Sequence, residues 1–376
     1  MKAPGILFVT KPLVAPWADS GRLLPYLVAK NLADLRISVM VPSGQPLDLP
    51  NVVSEEVYAS GHAFSVPGGD KLRLMARLMG RATPPVVHFF FSPNRPTSMA
   101  ARLVARRHRG VHMIQTIMSL PMKDRDLVEG IFADTVVVWS EHARRRVADI
   151  VAARGLSSDV VHIRPGIEPI EPIGEAHRRF LRTGFGLPPD GRIILYAGDL
   201  EFSTGATVTA AAVRMLADRM RAVFVFACRP KTPAASRVLK RIEADLALEA
   251  SAGRVRFMGQ VGNFRDLLSC VDCQVLPVET TYAKTDIPLV VLEGLSAGVP
   301  AIVGTGTPMD ELVACGAAAG VMPGDPRALA DAVEGVFGSG GNCDTLAKAG
   351  RRYVLANHGV QAMAQAHAVM YRRLAG

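Results

Sequence analysis

No stretch of about 18 uncharged apolar residues runs through this chain, because Asp199, Glu201 and Glu293 interrupt its most apolar segments, and a membrane-spanning helix is excluded. Near the N-terminus, Lys11 follows too soon after the run from Pro4 to Thr10 for a signal peptide, and no small-residue cleavage site comes after it. That run reads as a first buried strand. Cysteine is scarce and odd in number: Cys228, Cys270, Cys273, Cys315 and Cys343 are too scattered for a disulfide framework and point to reduced thiols in a cytoplasmic setting. Cys270 and Cys273 have neither the second close pair that zinc needs nor a thioredoxin-like context, so they read as compact core hydrophobes. Aromatic residues do not interleave with the basic ones, which removes a nucleic-acid partner. Acidic residues are missing altogether between Lys71 and Arg109, a span that holds nine basic ones.

The remainder is a globular balance: 376 residues, 49% hydrophobic and 20% charged, more than one ordinary core requires. Short β-branched or aromatic runs alternate with helical patterns twice over. In the first half the strands are expected at 5–10, 37–42, 86–91, 112–116 and 135–139, and in the second at 193–197, 223–227, 255–258, 273–276, 301–303 and 319–322. The fold class is therefore α/β, with two Rossmann-like, doubly wound parallel sheets. Three prolines, Pro165, Pro169 and Pro172, break any helix or central strand at the join. The expected division is 1–165, 166–358, and a C-terminal amphipathic helix within 359–376 that returns to the first domain.

The segment from Lys284 to Val303, KTDIPLVVLEGLSAGVPAIV, carries the chemistry. It places Glu293 in an apolar helix that begins around Ile287, with Pro288 in the early turn and backbone N–H groups of that turn, near Leu289, available to an anion. Gly298, Val299 and Pro300 then lead into a strand. This pattern resembles the retaining glycosyltransferases of family 4, which have the GT-B fold: two such domains facing a cleft, with a Glu, seven residues, a second Glu, then Gly-x-Pro. The second Glu is matched by Glu293. Thr285 stands at the position of the first.

The resemblance covers the second domain well and the first loosely. It implies that Glu293 accepts hydrogen bonds from the donor ribose, and a carboxylate inside an apolar helix needs such partners. In the family's Gly-Arg-Leu and Lys-Gly loop, Gly198 and Gly205 match while Asp199 and Thr204 replace the two cations. A leaving diphosphate needs positive charge. Arg229, Lys231 and Lys284 are the expected substitutes, Arg229 the best suited to bidentate contact; the alternative is that they are solvated loop charges. Gly259 and Val261 fit the strand-end loop that contacts the base. Asp286 either takes over the role of the missing Glu or caps the following helix.

In the first domain His88 matches one histidine of a His-x-His strand, but Phe90 takes the second place, and Thr116-Ile117-Met118 lacks a further one. His88 is a catalytic candidate, with a satisfied core histidine as the alternative. Retention in the family needs no dedicated protein nucleophile. Ser20 and Gly21, in the loop from Ala15 to Arg22, together with Asn94, are the expected acceptor contacts, ordinary helix capping being the other reading.

Residues 1–172 hold 21 Lys+Arg against 15 Asp+Glu, so the first domain carries most of the net charge of +9. The basic 71–109 region mixes cations with an apolar stripe at helical spacing, which suits peripheral contact with an anionic membrane face or a core-packed helix with a wet side. The expected activity is transfer of a sugar from a UDP- or GDP-sugar to a hydroxyl acceptor, with no metal or other cofactor required. A catalytically silent donor-binding protein and a nucleotide-sugar epimerase are the alternatives.

Overall fold

The computed structural model describes residues 5–17, 19–61, 66–80, 83–91, 93–217, 219–230, 232–282, 284–338 and 341–374. Within it the chain divides into two compact units, Met1–Gly166 with Tyr282–Asp286 and His358–Gly376, and Ile167–Thr281 with Ile287–Asn357.

The first unit opens with β1 (Gly5–Val9), α1 (Ser20–Lys30), β2 (Arg36–Pro42), β3 (Val52–Tyr58), α2 (Gly68–Gly80) and β4 (Val86–Phe90). It continues with α3 (Arg95–Arg107), β5 (His112–Ile117), α4 (Asp124–Gly130), β6 (Thr135–Val138), α5 (Glu141–Ala153) and β7 (Asp159–His162). The second unit begins with α6 (Glu175–Gly184), β8 (Arg192–Tyr196), α7 (Gly205–Leu216), β9 (Ala222–Phe226), α8 (Pro233–Asp245), α9 (Ala247–Ser251) and β10 (Val255–Phe257). Next come α10 (Phe264–Cys270), β11 (Cys273–Leu276), α11 (Leu289–Ser296), β12 (Ala301–Gly304), α12 (Asp310–Ala314), β13 (Ala319–Val321), α13 (Pro326–Phe337) and α14 (Cys343–Asn357). The last helix, α15 (Val360–Leu374), belongs to the first unit and packs along α1.

Both sheets are parallel and doubly wound, as the alternation of runs implies. The first is ordered β3-β2-β1-β4-β5-β6-β7 and the second β10-β9-β8-β11-β12-β13. Strand order therefore reverses beside β1 and β4, and again beside β8 and β11, and loops at the carboxyl ends of such strands are where open α/β sheets bind ligands. Central strands are apolar on both faces: β1 and β4 are almost wholly buried, and one side of the first sheet packs Leu7, Val9, Val87 and Phe89 with Val104 of α3. In the second sheet Ile193, Leu195 and Val225 pack with Leu267 and Leu268 of α10.

Two strands have no counterpart in the sequence reading. β3 and β7 each pair with one neighbour only, and both are polar-rich and half-exposed, with Glu55 and Glu56 in one and Asp159 in the other. Edge strands need only one apolar face, so their pattern is faint. Cys270 and Cys273 are buried; their Sγ atoms donate to the Leu267 and Gln274 carbonyls at 3.3 and 3.5 Å, and burial pushes the Cys270 thiol up to about 11. Both stay protonated core groups. No helix among the described residues is long and apolar enough to cross a membrane.

Candidate functional site

The loop leaving β8 is shaped by Tyr196. Its hydroxyl donates to the Asp199 carbonyl at 2.8 Å, and its ring fills the space beside Gly198, where a Cβ would fall 2.4 Å from the phenolic oxygen. Gly205, the first residue of α7, is confined in the same way, 2.6 Å from Val278. Asp199 then organises the turn: Oδ1 accepts from the N–H groups of Phe202 at 2.7 Å and Ser203 at 3.0 Å, and Oδ2 from the Ser203 hydroxyl. The next N–H, that of Thr204, donates to both oxygens of Glu279 at 2.9 and 3.0 Å, and the Thr204 hydroxyl adds a third bond. Glu279 lies on the loop leaving β11, so this pair bridges the two strands at which the sheet order reverses. Carboxylates therefore take three successive N–H groups ahead of α7, of the kind that otherwise serve a phosphate.

The β11 loop runs on into α11, which carries Glu293. Pro288 is the N-cap of this helix rather than a residue of its first turn, and Leu289 begins it, buried. Gly294 faces β11 so closely that a Cβ would sit 2.3 Å from the Gln274 amide, whose nitrogen donates to the Val291 carbonyl. The helix ends with Gly298 at φ +79°, while the Val299 N–H returns to the Gly294 carbonyl at 2.9 Å. That Schellman-type closure explains the glycine of the Gly-x-Pro element, because other residues avoid the left-handed region.

Glu293 keeps 16% of its side-chain surface exposed and receives Arg265 of α10, Nη1 to Oε1 at 3.3 Å. Burial pushes its carboxyl above the ordinary glutamate range, and Arg265 holds part of that rise back. The same guanidinium donates to the carbonyls of Glu168 at 3.0 Å and Pro169 at 2.9 Å. Gly259 turns at φ +59° after β10, and Val261 packs on the second core. Arg229 is half-buried and has no hydrogen bond or ion pair among the described residues. Lys231 lies outside the described residues.

Lys284, Thr285 and Asp286 do not share a unit with Arg229; they fall in Tyr282–Asp286, which belongs to the first. Thr285 and Asp286 are fully enclosed there. The Asp286 N–H donates to the Met118 carbonyl at 2.9 Å and its Oδ2 accepts from the Ser140 hydroxyl at 2.8 Å, while Ser140 caps α5. The capping alternative for Asp286 is corrected, since α11 starts from Pro288; the residue instead anchors this segment to the ends of β5 and β6.

His88 is also enclosed. Nδ1 meets the Tyr371 hydroxyl and Nε2 the Thr116 hydroxyl, each at 2.6 Å, and burial drives its pKa well down. Phe8, Phe90 and His367 pack around the ring. This is the core alternative: both ring nitrogens are engaged and no atom is open to a substrate. The acceptor candidates serve as caps or lie beside them. Asp19, not Ser20, caps α1 by accepting from the Gly21 N–H at 2.8 Å, and Lys11 pairs with Asp19. Asn94 caps α3 through the Thr97 N–H at 3.0 Å.

Residues 191–338 match the family model described as glycosyl transferases group 1, and this span contains the β8 loop, Arg265, Glu279 and Glu293. The second unit is thus similar to a group 1 glycosyl transferase domain. Solved structures share the fold over nearly the whole chain. A sucrose-phosphate synthase from Thermosynechococcus elongatus is 19% identical at TM-score 0.77, covering 99% of each chain. HepE of Anabaena in complex with UDP-glucose is 15% identical at TM-score 0.78, covering 98% of this chain and 100% of that one. A UDP-forming α,α-trehalose-phosphate synthase from Burkholderia xenovorans is 13% identical at TM-score 0.69, covering all of both. No curated protein matches the chain.

In this chain the sequence pointed to Glu293, Gly198, Gly205 and Gly298 but missed three residues that shape their surroundings. Arg265 and Tyr196 have no motif to mark them. Glu279 had a weak signal, an acid two residues beyond the Pro277 that ends a strand at the sheet's reversal.

Proposed function

We propose that the chain transfers a sugar from a UDP- or GDP-sugar to a hydroxyl acceptor with retention of configuration, and that Glu293 holds the donor ribose. The observation that carries this is Glu293 itself: a mostly buried carboxylate in an apolar helix, inside the matched domain, with one edge exposed and one arginine beside it. Desolvation makes such a group costly unless its acceptor capacity is used. Gly198, Gly205, Gly259 and Val261 frame the donor, and Arg229, without another partner among the described residues, is the cation for its diphosphate. Lys231 is the second cation of the proposed donor set, and Ser20, Gly21 and Asn94 form the proposed acceptor set; Thr285 and Asp286, enclosed in the first unit, are left out of the donor set. No metal is assigned to the reaction. A panel of nucleotide sugars scored for thermal shift and slow release of nucleotide diphosphate tests the reading: one donor selected and hydrolysed supports it, and no donor bound removes it.

One observation favours a second reading, a protein that binds its ligand without transfer. Asp199 and Glu279 put negative charge where the leaving diphosphate needs compensation. Selective binding of a nucleotide sugar with no release of diphosphate, even with broad acceptor mixtures, selects that reading.

For a cytoplasmic setting we propose peripheral contact with anionic membrane through α2 and α3. Four of the nine basic residues are already engaged: Arg73 with Asp70, Arg77 with Glu55, Arg95 with Glu129, and Arg102 with the Glu129 and Ile131 carbonyls. Lys71, Arg106, Arg107 and Arg109 stay exposed, together with Leu72, Met99 and Leu103. Co-sedimentation with anionic but not zwitterionic vesicles is the expected result.

A further inference from the structure

Arg265 stands outside every motif of the sequence, yet it touches the carboxylate on which the proposed function rests. Its Nη1 lies 3.3 Å from Glu293 Oε1 and 3.0 Å from the Glu168 carbonyl, and its Nη2 lies 2.9 Å from the Pro169 carbonyl. Two carbonyls of the segment that opens the second unit thus fix the planar guanidinium, and the guanidinium fixes one oxygen of Glu293. The other oxygen makes no hydrogen bond among the described residues. From α14, the neighbouring helix, Arg351 is turned away to Glu171 and to the carbonyls of Ile170 and Ser296. Ser296 in turn accepts from the Ile170 N–H at 2.9 Å and donates to the Glu293 carbonyl at 2.7 Å, which ties the same segment to α11.

We infer that Arg265 is a positioning residue: anchored on the carbonyls of Glu168 and Pro169, it holds the Glu293 carboxylate as the acceptor for the two ribose hydroxyls of the donor. This rests on the reading of Glu293 as the ribose contact. The chemistry requires it because an ionised carboxylate accepts from two hydroxyls at once, whereas a protonated one spends an oxygen as a donor. Burial works toward the protonated form, and Arg265 is the charged group that opposes it. Removing Arg265 therefore makes donor binding depend on pH in a range where the parent's does not. A purely structural arginine predicts a lower melting temperature and no such dependence.

The test is calorimetric titration of the full chain with UDP-glucose and, in parallel, GDP-glucose, across a series from about pH 8 to about pH 5, on the parent, Arg265→Ala, Arg265→Lys and Glu293→Gln. Arg265→Ala is expected to weaken binding about tenfold at neutral pH, corresponding to ~1.4 kcal/mol, with the loss growing as pH falls. Arg265→Lys keeps the charge and restores a flat profile, though with the anchoring fork lost its affinity stays below the parent's. Glu293→Gln is weak and insensitive to pH. If Glu293→Gln is weakened while Arg265→Ala keeps the parent's affinity and profile, the positioning role is wrong and the ribose reading stands. If Glu293→Gln binds as the parent does, or the parent binds neither donor, the ribose reading fails and the role of Arg265 falls with it. Should Arg265→Ala not fold, the profile of Arg265→Gln decides.

Discussion

His88 and Glu293 are both polar side chains set among apolar neighbours, one in each unit, and the structure treats them in opposite ways. His88 has no exposed surface and both nitrogens bonded, to Tyr371 and Thr116. Glu293 has one arginine, an exposed edge, and a carboxyl driven above its ordinary range. Polarity that is complete in itself belongs to the architecture, and polarity left partly satisfied at a cost to the folded state marks a place where a ligand completes the bonding. By this criterion helix α11 of the second unit is where the proposed donor site belongs, while the first unit's histidine and Asp286 are parts of its framework.

The comparison breaks most visibly at His88. His88→Ala leaves a cavity and strands two buried hydroxyls, an expected loss of ~3–5 kcal/mol of stability. Urea unfolding followed by tryptophan fluorescence suits the test, since Trp17 and Trp139 are both in the first unit. Unchanged stability with activity abolished would instead make His88 catalytic.

Acid sharpens the contrast. His358 and His367 are buried and their pKa values are pushed down to about 4, chiefly by loss of hydration. A folded value below the unfolded one means stabilisation that is complete above about pH 6.5 and is lost as pH falls through about 4, up to ~3 kcal/mol for each group. Glu293 runs the other way: its raised value gives stabilisation present at low pH and lost as pH rises through the folded value. The fluorescence-monitored unfolding free energy of the first unit is therefore expected to fall with acid, with a shallower slope in His367→Phe. An identical slope in that variant would remove His367 from the account.

The smallest expected effect concerns the filled loop before α7. Glu279→Ala frees the Thr204 N–H and removes a negative charge, so affinity for UDP or GDP is expected to rise about three- to tenfold. A fall in affinity would mean that Glu279 contacts the ligand rather than competing with it.

The sequence made the second unit legible because its determinants are local. Gly298 closes a helix by its own backbone angle, and the strands around it are continuous apolar runs. The first unit's determinants are not local: His88 is decided by Tyr371, 283 residues away, and Asp286 by Ser140, 146 residues away. No spacing rule joins such pairs. The edge strands β3 and β7 escaped for a related reason, since half-polar runs carry little periodicity when one face meets water. Pro288 was misplaced by only a residue or two, because a proline's fixed φ suits a helix start and does not mark its exact first residue.

The most direct test is Glu293→Gln, with donor affinity and melting temperature measured on the same purified protein. The account predicts that affinity for the nucleotide sugar drops by ~1–3 kcal/mol while the melting temperature holds or rises, because a neutral amide relieves the buried charge and leaves the ribose imperfectly paired. A lower melting temperature with the parent's affinity would contradict it and make Glu293 a structural residue like His88.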